Sequence, residues 1–313
     1  MARKNAIRFG EVHKFTQVLF AEDLHAKRVE SVANGALGVV YGAALAIHTI
    51  GLGLAAAKGL KKKHAVKQVD RLLSNCGVNV WALFEHWVPY VIGARPEVFV
   101  AMDWTEHDHD DQSTIALNLL TSHGRATPLM WKTVVKSDLL GKRNAHEDCI
   151  LEWFAQLVPA GVRVTIIADR GFGDQKLYAL LTHLDFDYII RFKENITITD
   201  DRGTSATAAD WVAPKGRPSM LKDVQVTADR SPVPAVVLVR DPGMKEAWCL
   251  ATSRTDLTAR PIVKLYGKRF TIEENFRDSK DARFGLGLSA THIGDCGRRD
   301  RLLLLCALGE DLA

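Results

Sequence analysis

Two hydrophobic periods divide this chain. Up to Ile92 apolar residues recur at helical spacing and no proline precedes Pro89, so residues 1–93 read as mostly helical. Within them Leu60–Leu73 is amphipathic: Val66, Val69, Leu72 and Leu73 form one face, and Lys61, Lys62, Lys63, His64, Lys67 and Arg71 the other. Ser74-Asn75-Cys76-Gly77 reads as its stop. From Pro96 the pattern changes to strands. Glu97–Asp103 is the first, with Asp103 closing an apolar run. Ile115, Leu117 and Leu119 alternate with smaller or polar residues, Ser122–Arg125 supplies a turn, and Ala126–Val135 pairs back, with Pro128 marking an edge or irregularity. Helix, strand, helix and strand follow over Asn144–Val158, Val162–Asp169, Asp174–Leu184 and Tyr188–Phe192. That order implies an α/β layer.

Residues 195–251 carry turn signals (Asp200–Gly203, Pro214–Gly216) and short strand-like runs at Asp223–Thr227, Ala235–Val239 and Ala247–Thr252. They read as a small β-rich insertion. Helical spacing returns at Thr258 and continues through Lys280, and Leu302–Leu308 begins a last helix that the chain barely completes.

With 313 residues, 47% apolar and 25% charged, the composition is that of an ordinary globular chain able to bury a sizeable core. A net charge of +4 mildly favours a polyanionic partner. The five cysteines are scattered, with no CxxC pair or Cys/His cluster, and read as reduced thiols of a cytosolic protein. Val32–Ala57 has no Asp, Glu, Lys or Arg and is long enough to span a bilayer, with a basic flank at Lys58–Lys63. Its Asn34, His48, Thr49 and five glycines fit better two small-residue-rich helices packed in a core. We therefore expect no membrane span.

The candidate chemistry lies in a spacing. Tyr266, Glu273 and Lys280 are seven residues apart and Arg269 lies four before the glutamate, which on one helix puts all four on one face. Asp103 and Asp169 each close a strand-like run. Three carboxylates are hard oxygen donors suited to Mg²⁺ or Mn²⁺, and two such ions suit phosphoryl transfer. Glu106-His107-Asp108-His109-Asp110-Asp111 is metal-like in composition but lacks ligand spacing and reads as a solvated loop or a supporting segment. Glu274 lies off the face shared by Arg269, Glu273 and Lys280, and Gly171 and Gly173 read as turn formers, with no Lys-Ser/Thr following them.

These motifs resemble those of the DDE transposases of bacterial insertion sequences, in the branch with a Tyr-x2-Arg-x3-Glu-x6-Lys signature. Tyr266-Gly-Lys-Arg269-Phe-Thr-Ile-Glu273 with Lys280 matches it, Ala101–Thr105 resembles the first acidic block, and Ile167–Asp174 the second. The resemblance runs over about residues 60–300. It implies an α/β fold with a ribonuclease-H-like core: a helical DNA-end-binding region at 1–93, core at 94–194, the β-rich insertion at 195–251 and the second part of the core at 252–313. It further implies a metal-binding catalytic triad of Asp103, Asp169 and Glu273 with two Mg²⁺ or Mn²⁺ ions. Tyr266, Arg269 and Lys280 would grip phosphates, Arg191 would face DNA, and Trp248 would stack on a flipped base or serve as a core aromatic. Lys61, Lys62 and Lys63 would touch the DNA backbone or form a solvated basic face. The implied function is cleavage and strand transfer at terminal inverted repeats of double-stranded DNA, by a homodimer at the cytoplasmic nucleoid. Relatives continue past the signature helix, whereas this chain stops at Ala313. A C-terminal truncation follows as an expectation, with Leu302–Leu305 left little to pack against. The alternatives are a decayed transposase that binds DNA or a partner protomer without catalysis, and a metal-dependent nuclease.

Overall fold

The computed structural model describes residues 7–121, 125–213, 216–281, 283 and 285–312. The expected turn at Ser122–Arg125 lies outside these residues except for Arg125, and the one at Pro214–Gly216 except for Gly216. Five helices come first: α1 (Phe9–Phe20), α2 (Ala26–Gly42), α3 (Ile47–Lys58), α4 (Lys62–Leu73) and α5 (Val80–Ile92). Then follow β1 (Glu97–His107), β2 (Gln112–Leu120), β3 (Ala126–Val135), α6 (Arg143–Leu157), β4 (Arg163–Ala168), α7 (Gln175–His183) and β5 (Asp187–Phe192). The strands β6 (Thr197–Thr199), β7 (Ser205–Thr207), β8 (Ser219–Val226), β9 (Ser231–Val239) and β10 (Trp248–Thr252) precede α8 (Ala259–Gly267), α9 (Phe270–Lys280) and α10 (Cys296–Leu312).

All ten strands form one sheet, ordered β3-β2-β1-β4-β5-β10-β9-β8-β6-β7. The antiparallel β3-β2-β1 set followed by parallel β4 and β5, with helices on both faces, is a ribonuclease-H-like α/β core. The strands of 195–251 extend this same sheet through β10, which pairs antiparallel with β5. Pro128 sits on the edge strand at a register shift opposite Leu117/Asn118, where a missing N–H is tolerated.

Alternation along the strands sorts side chains between two cores. Val98, Val100, Met102, Val164, Ile166, Ala168, Tyr188 and Ile190 face the larger one, with α5, α6 and α7. Ala101, Ile167, Ile189 and Leu250 face the smaller one, under Ile262, Tyr266 and Ile272 of α8 and α9. With a period of two, positions 103, 169, 191 and 248 fall on the α8–α9 side.

The apolar segment 32–57 folds into α2 and α3, bent by 96° about their connection. Among the described residues no single helix is long and apolar enough to cross a membrane, although the bent pair passes by length and composition. Glycines let α3 meet α2 on one side and α4 on the other. A Cβ on Gly53 would lie 2.5 Å from the Gly38 carbonyl oxygen, and one on Gly51 2.5 Å from the Val66 Cα.

The structure corrects three local expectations. β1 does not end at Asp103 but runs on to His107, because residues 103–107 stay paired with β2 after the pairing with β4 ends at Met102–Ala168. The helix expected over 258–280 is broken at Lys268–Arg269, so the signature straddles α8 and α9. The run Leu302–Leu305 is not left bare. α10 packs on α2, β3 and α4, with Leu302, Leu304 and Leu305 buried. Buried arginines fasten it: Arg299 pairs with Asp110 and Gln112, and Arg301 donates to the Leu73 carbonyl at 2.6 Å.

Candidate active site

The register of three strands builds the centre. Met102 pairs with Ala168, and Ala168 with Ile190. The next residues along these parallel strands, Asp103, Asp169 and Arg191, therefore leave the sheet in a row, on the face covered by α8 and α9. Asp103 lies where β1 loses β4 as a neighbour. Asp169 follows β4 directly, and its Oδ1 accepts the Gly171 N–H at 2.7 Å, shaping the tight turn Arg170–Phe172. A Cβ on Gly173 would lie 3.0 Å from the Arg191 carbonyl oxygen, so glycine lets this turn settle against β5.

Across the face, Arg269 ties the elements together. Its Nη1 reaches Asp103 Oδ2 at 3.1 Å and its Nη2 reaches Glu273 Oε1 at 2.6 Å. The guanidinium is buried, and its Nε has no partner. Asp103 also accepts the Trp104 N–H at 2.8 Å. Burial pushes the Asp103 carboxyl up to about 6; Arg269 opposes this, and the charges of Asp169 and Glu273 add to it. Asp103 thus feels the charges of both other carboxylates, and a single guanidinium bridges it to Glu273.

The donor chemistry fits a hard divalent cation. As placed, however, no three carboxylate, histidine or cysteine groups among the described residues stand together at metal-binding range. Arg269 lies between Asp103 and Glu273, so an ion bound by both would require it to move aside.

The other expected residues are distributed unevenly. Tyr266 is buried, its ring edge-on to Trp248 at 4.8 Å, and loss of hydration raises its phenol. Trp248 opens β10 and also packs at 5.9 Å on Phe270, which is 41% exposed. The indole is therefore part of an aromatic cluster beside the carboxylates. Lys280 lies at the far end of α9, where Nζ donates to the Glu106 carbonyl at 2.6 Å and burial lowers its pKa. Arg191 is held by Glu246 at 2.8 Å. Lys61, Lys62 and Lys63 are exposed at the start of α4, which packs on α2, α3 and α10 rather than on the elements that carry the carboxylates.

The Glu106–Asp111 run is structural. Asp110 pairs with buried Arg299, His107 is buried against Thr114 at 3.2 Å, and Asp111 accepts from the Ser137 N–H and hydroxyl. Sequence reasoning missed Glu246 and Arg170, which meet at 2.6 Å. Their only sequence signal was adjacency: Arg170 follows Asp169, and Glu246 lies two before Trp248.

No curated protein matches the chain. Residues 132–308, more than half of its length, match the family model of the transposase DDE domain, and the protein belongs to that family.

Proposed function

We propose that this chain is an insertion-sequence transposase that cuts a DNA strand at the terminal inverted repeats of its element and joins the freed end to another strand. The observation that carries this reading is the row Asp103–Asp169, set by the Met102–Ala168 register, with Glu273 linked to it through Arg269. Asp103, Asp169 and Glu273 would hold divalent ions, Mg²⁺ or Mn²⁺, which when bound stabilise charge on the attacking and leaving oxygens of a phosphoryl transfer. The protein's own part is positional. The parallel strands fix two carboxylates side by side on a rigid sheet, and α9 brings the third across the same face. Arg269, buried with an unpartnered Nε, offers an N–H to a phosphate oxygen placed there. Trp248 and Phe270 provide an apolar wall against which a displaced base can stack. Exposed Lys61, Lys62 and Lys63 suit contacts to the DNA backbone away from the centre, with the helical region binding the DNA ends and two protomers pairing them.

The Arg269 ion pairs favour a second reading, a protomer that binds ends without cutting them, because they occupy two of the three carboxylates. One experiment separates the two: incubation of a labelled duplex bearing the element's own ends with Mg²⁺ or Mn²⁺, beside Asp103→Asn, Asp169→Asn and Glu273→Gln. Metal-dependent nicking at the repeat boundary, lost in all three variants while binding persists, is expected. Binding without nicking by the parent would favour the second reading, and equal loss of binding in the three variants would overturn the triad.

A further inference from the structure

The loop between β9 and β10 brings an acid to the end of the central strands where Asp169 and Arg191 lie. One oxygen of Glu246, Oε2, accepts from Arg170 Nη1 at 2.6 Å and from Arg191 Nη2 at 2.8 Å. Arg191 also donates to the Ala247 carbonyl at 3.3 Å, and its Nε is buried without a partner. Both arginines are tied to the centre by the chain itself. Arg170 follows Asp169 directly, and Arg191 continues the Asp103–Asp169 row on β5.

This is an unusual place for an ordinary surface pair. Glu246 and Arg170 are each nearly half exposed, so neither is needed to fill the core. Two cations facing one anion leave a net positive charge. A single oxygen accepting one N–H from each of two guanidinium groups has the contacts that a phosphate oxygen makes with arginines. The guanidinium hydrogen bond from Arg170, together with the positive charge around it, holds the Glu246 carboxyl below its ordinary range, so it remains an anion at neutral pH.

We propose that Arg170 and Arg191 form a phosphate subsite for the DNA strand lying beside Asp169, and that Glu246 fills it as an internal counter-ion which a backbone phosphate must displace. The proposal rests on the DNA-processing reading above and adds a device to it. An occupied subsite weakens binding to any duplex alike. Only DNA that makes further contacts elsewhere on the protein then recovers full affinity, so Glu246 trades general affinity for discrimination.

The test uses the full chain without divalent metal and a labelled 30-base-pair duplex of arbitrary sequence, with binding followed by fluorescence anisotropy over a salt series. Glu246→Gln keeps the shape and removes the charge. It should bind roughly tenfold tighter at low salt, with a salt dependence steeper by about one phosphate contact, a slope change of roughly 0.9. Arg170→Ala should bind more weakly with a shallower slope, and Arg170→Ala combined with Glu246→Gln should return close to the parent. An unchanged affinity and slope in Glu246→Gln would overturn the subsite. So would equal tightening in the double variant, which would mean that the charge acts only at long range. Parental binding by Arg170→Ala would overturn it from the other side. A protein that shows the expected pattern yet never nicks DNA sinks the catalytic reading and leaves the subsite standing. Absence of DNA binding by the parent and every variant overturns both.

Discussion

Replacing Arg269 by glutamine tests whether this side chain holds the place proposed for a metal ion. In the folded chain the guanidinium compensates Asp103 at 3.1 Å and Glu273 at 2.6 Å. Removing one partner of a fully buried pair costs ~3–5 kcal/mol. Here the cost is smaller. Glu273 is 51% exposed, so its share is about 0–1 kcal/mol. Asp103, already pushed up to about 6, escapes part of the penalty by taking up a proton. We expect roughly 2 kcal/mol at pH 7, which for 313 residues lowers Tm by about 3 °C. The same contribution opposes metal entry, since the arginine must leave before Asp103 and Glu273 share an ion. Its removal should therefore tighten Mn²⁺ binding by about 30-fold. Thermal melts in EDTA and titration of free Mn²⁺ by electron paramagnetic resonance, both without DNA, read the two effects. They should move in opposite directions: lower stability without metal, tighter metal binding. If Arg269→Gln keeps the parent's Tm and binds Mn²⁺ no more tightly, the arginine is not the resident cation of this centre, and the argument from its ion pairs fails.

Asp300, against β3, has its carboxyl pushed up to about 7 by loss of hydration, although it accepts the Thr133 N–H at 3.0 Å. Between about pH 4 and 7 the folded chain holds a proton that the unfolded chain releases, so this group's contribution makes stability fall as pH rises through that window. Asp300→Asn should raise stability at pH 8 by on the order of 2–4 kcal/mol and lose its advantage near pH 4, as read from urea midpoints. The buried His107, held down to about 3, slopes the opposite way in both proteins and cancels in the difference. Gly53→Ala places a Cβ 2.5 Å from the Gly38 carbonyl oxygen and should cost ~1–3 kcal/mol or more, whereas Gly10→Ala, with open space around it, should gain about 0.5–1 kcal/mol. Equal denaturation midpoints for the two would refute the tight packing of α2 on α3.

Much of the fold was legible because burial writes its period into sequence. The strand ending at Ala168, the helix over 62–73 and the change of period at Pro96 all appear within two residues of where local pattern put them. The expectations that failed depended on neighbours. Asp103 closes an apolar run in sequence, yet its strand continues, because β2 supplies pairing that the run itself does not encode. The 266–280 spacing predicts one helix face, but the chain breaks at Lys268–Arg269, and this break sets Arg269 between Asp103 and Glu273. Leu302–Leu305 was expected to lack partners because the relatives continue past it, whereas its partners here include α2 and α4, more than two hundred residues earlier.

The sequence by itself determined the α/β order and the transposase DDE domain family to which the chain belongs, since residue types and short spacings are local properties. The tertiary structure alone decided that Asp103, Asp169 and Arg191 stand in one row, that Arg269 bridges two carboxylates, and that Glu246 holds Arg170 and Arg191. Each of these depends on strand register or on a loop meeting a distant strand, and the energy of such contacts between residues far apart in the chain leaves no periodic trace in it.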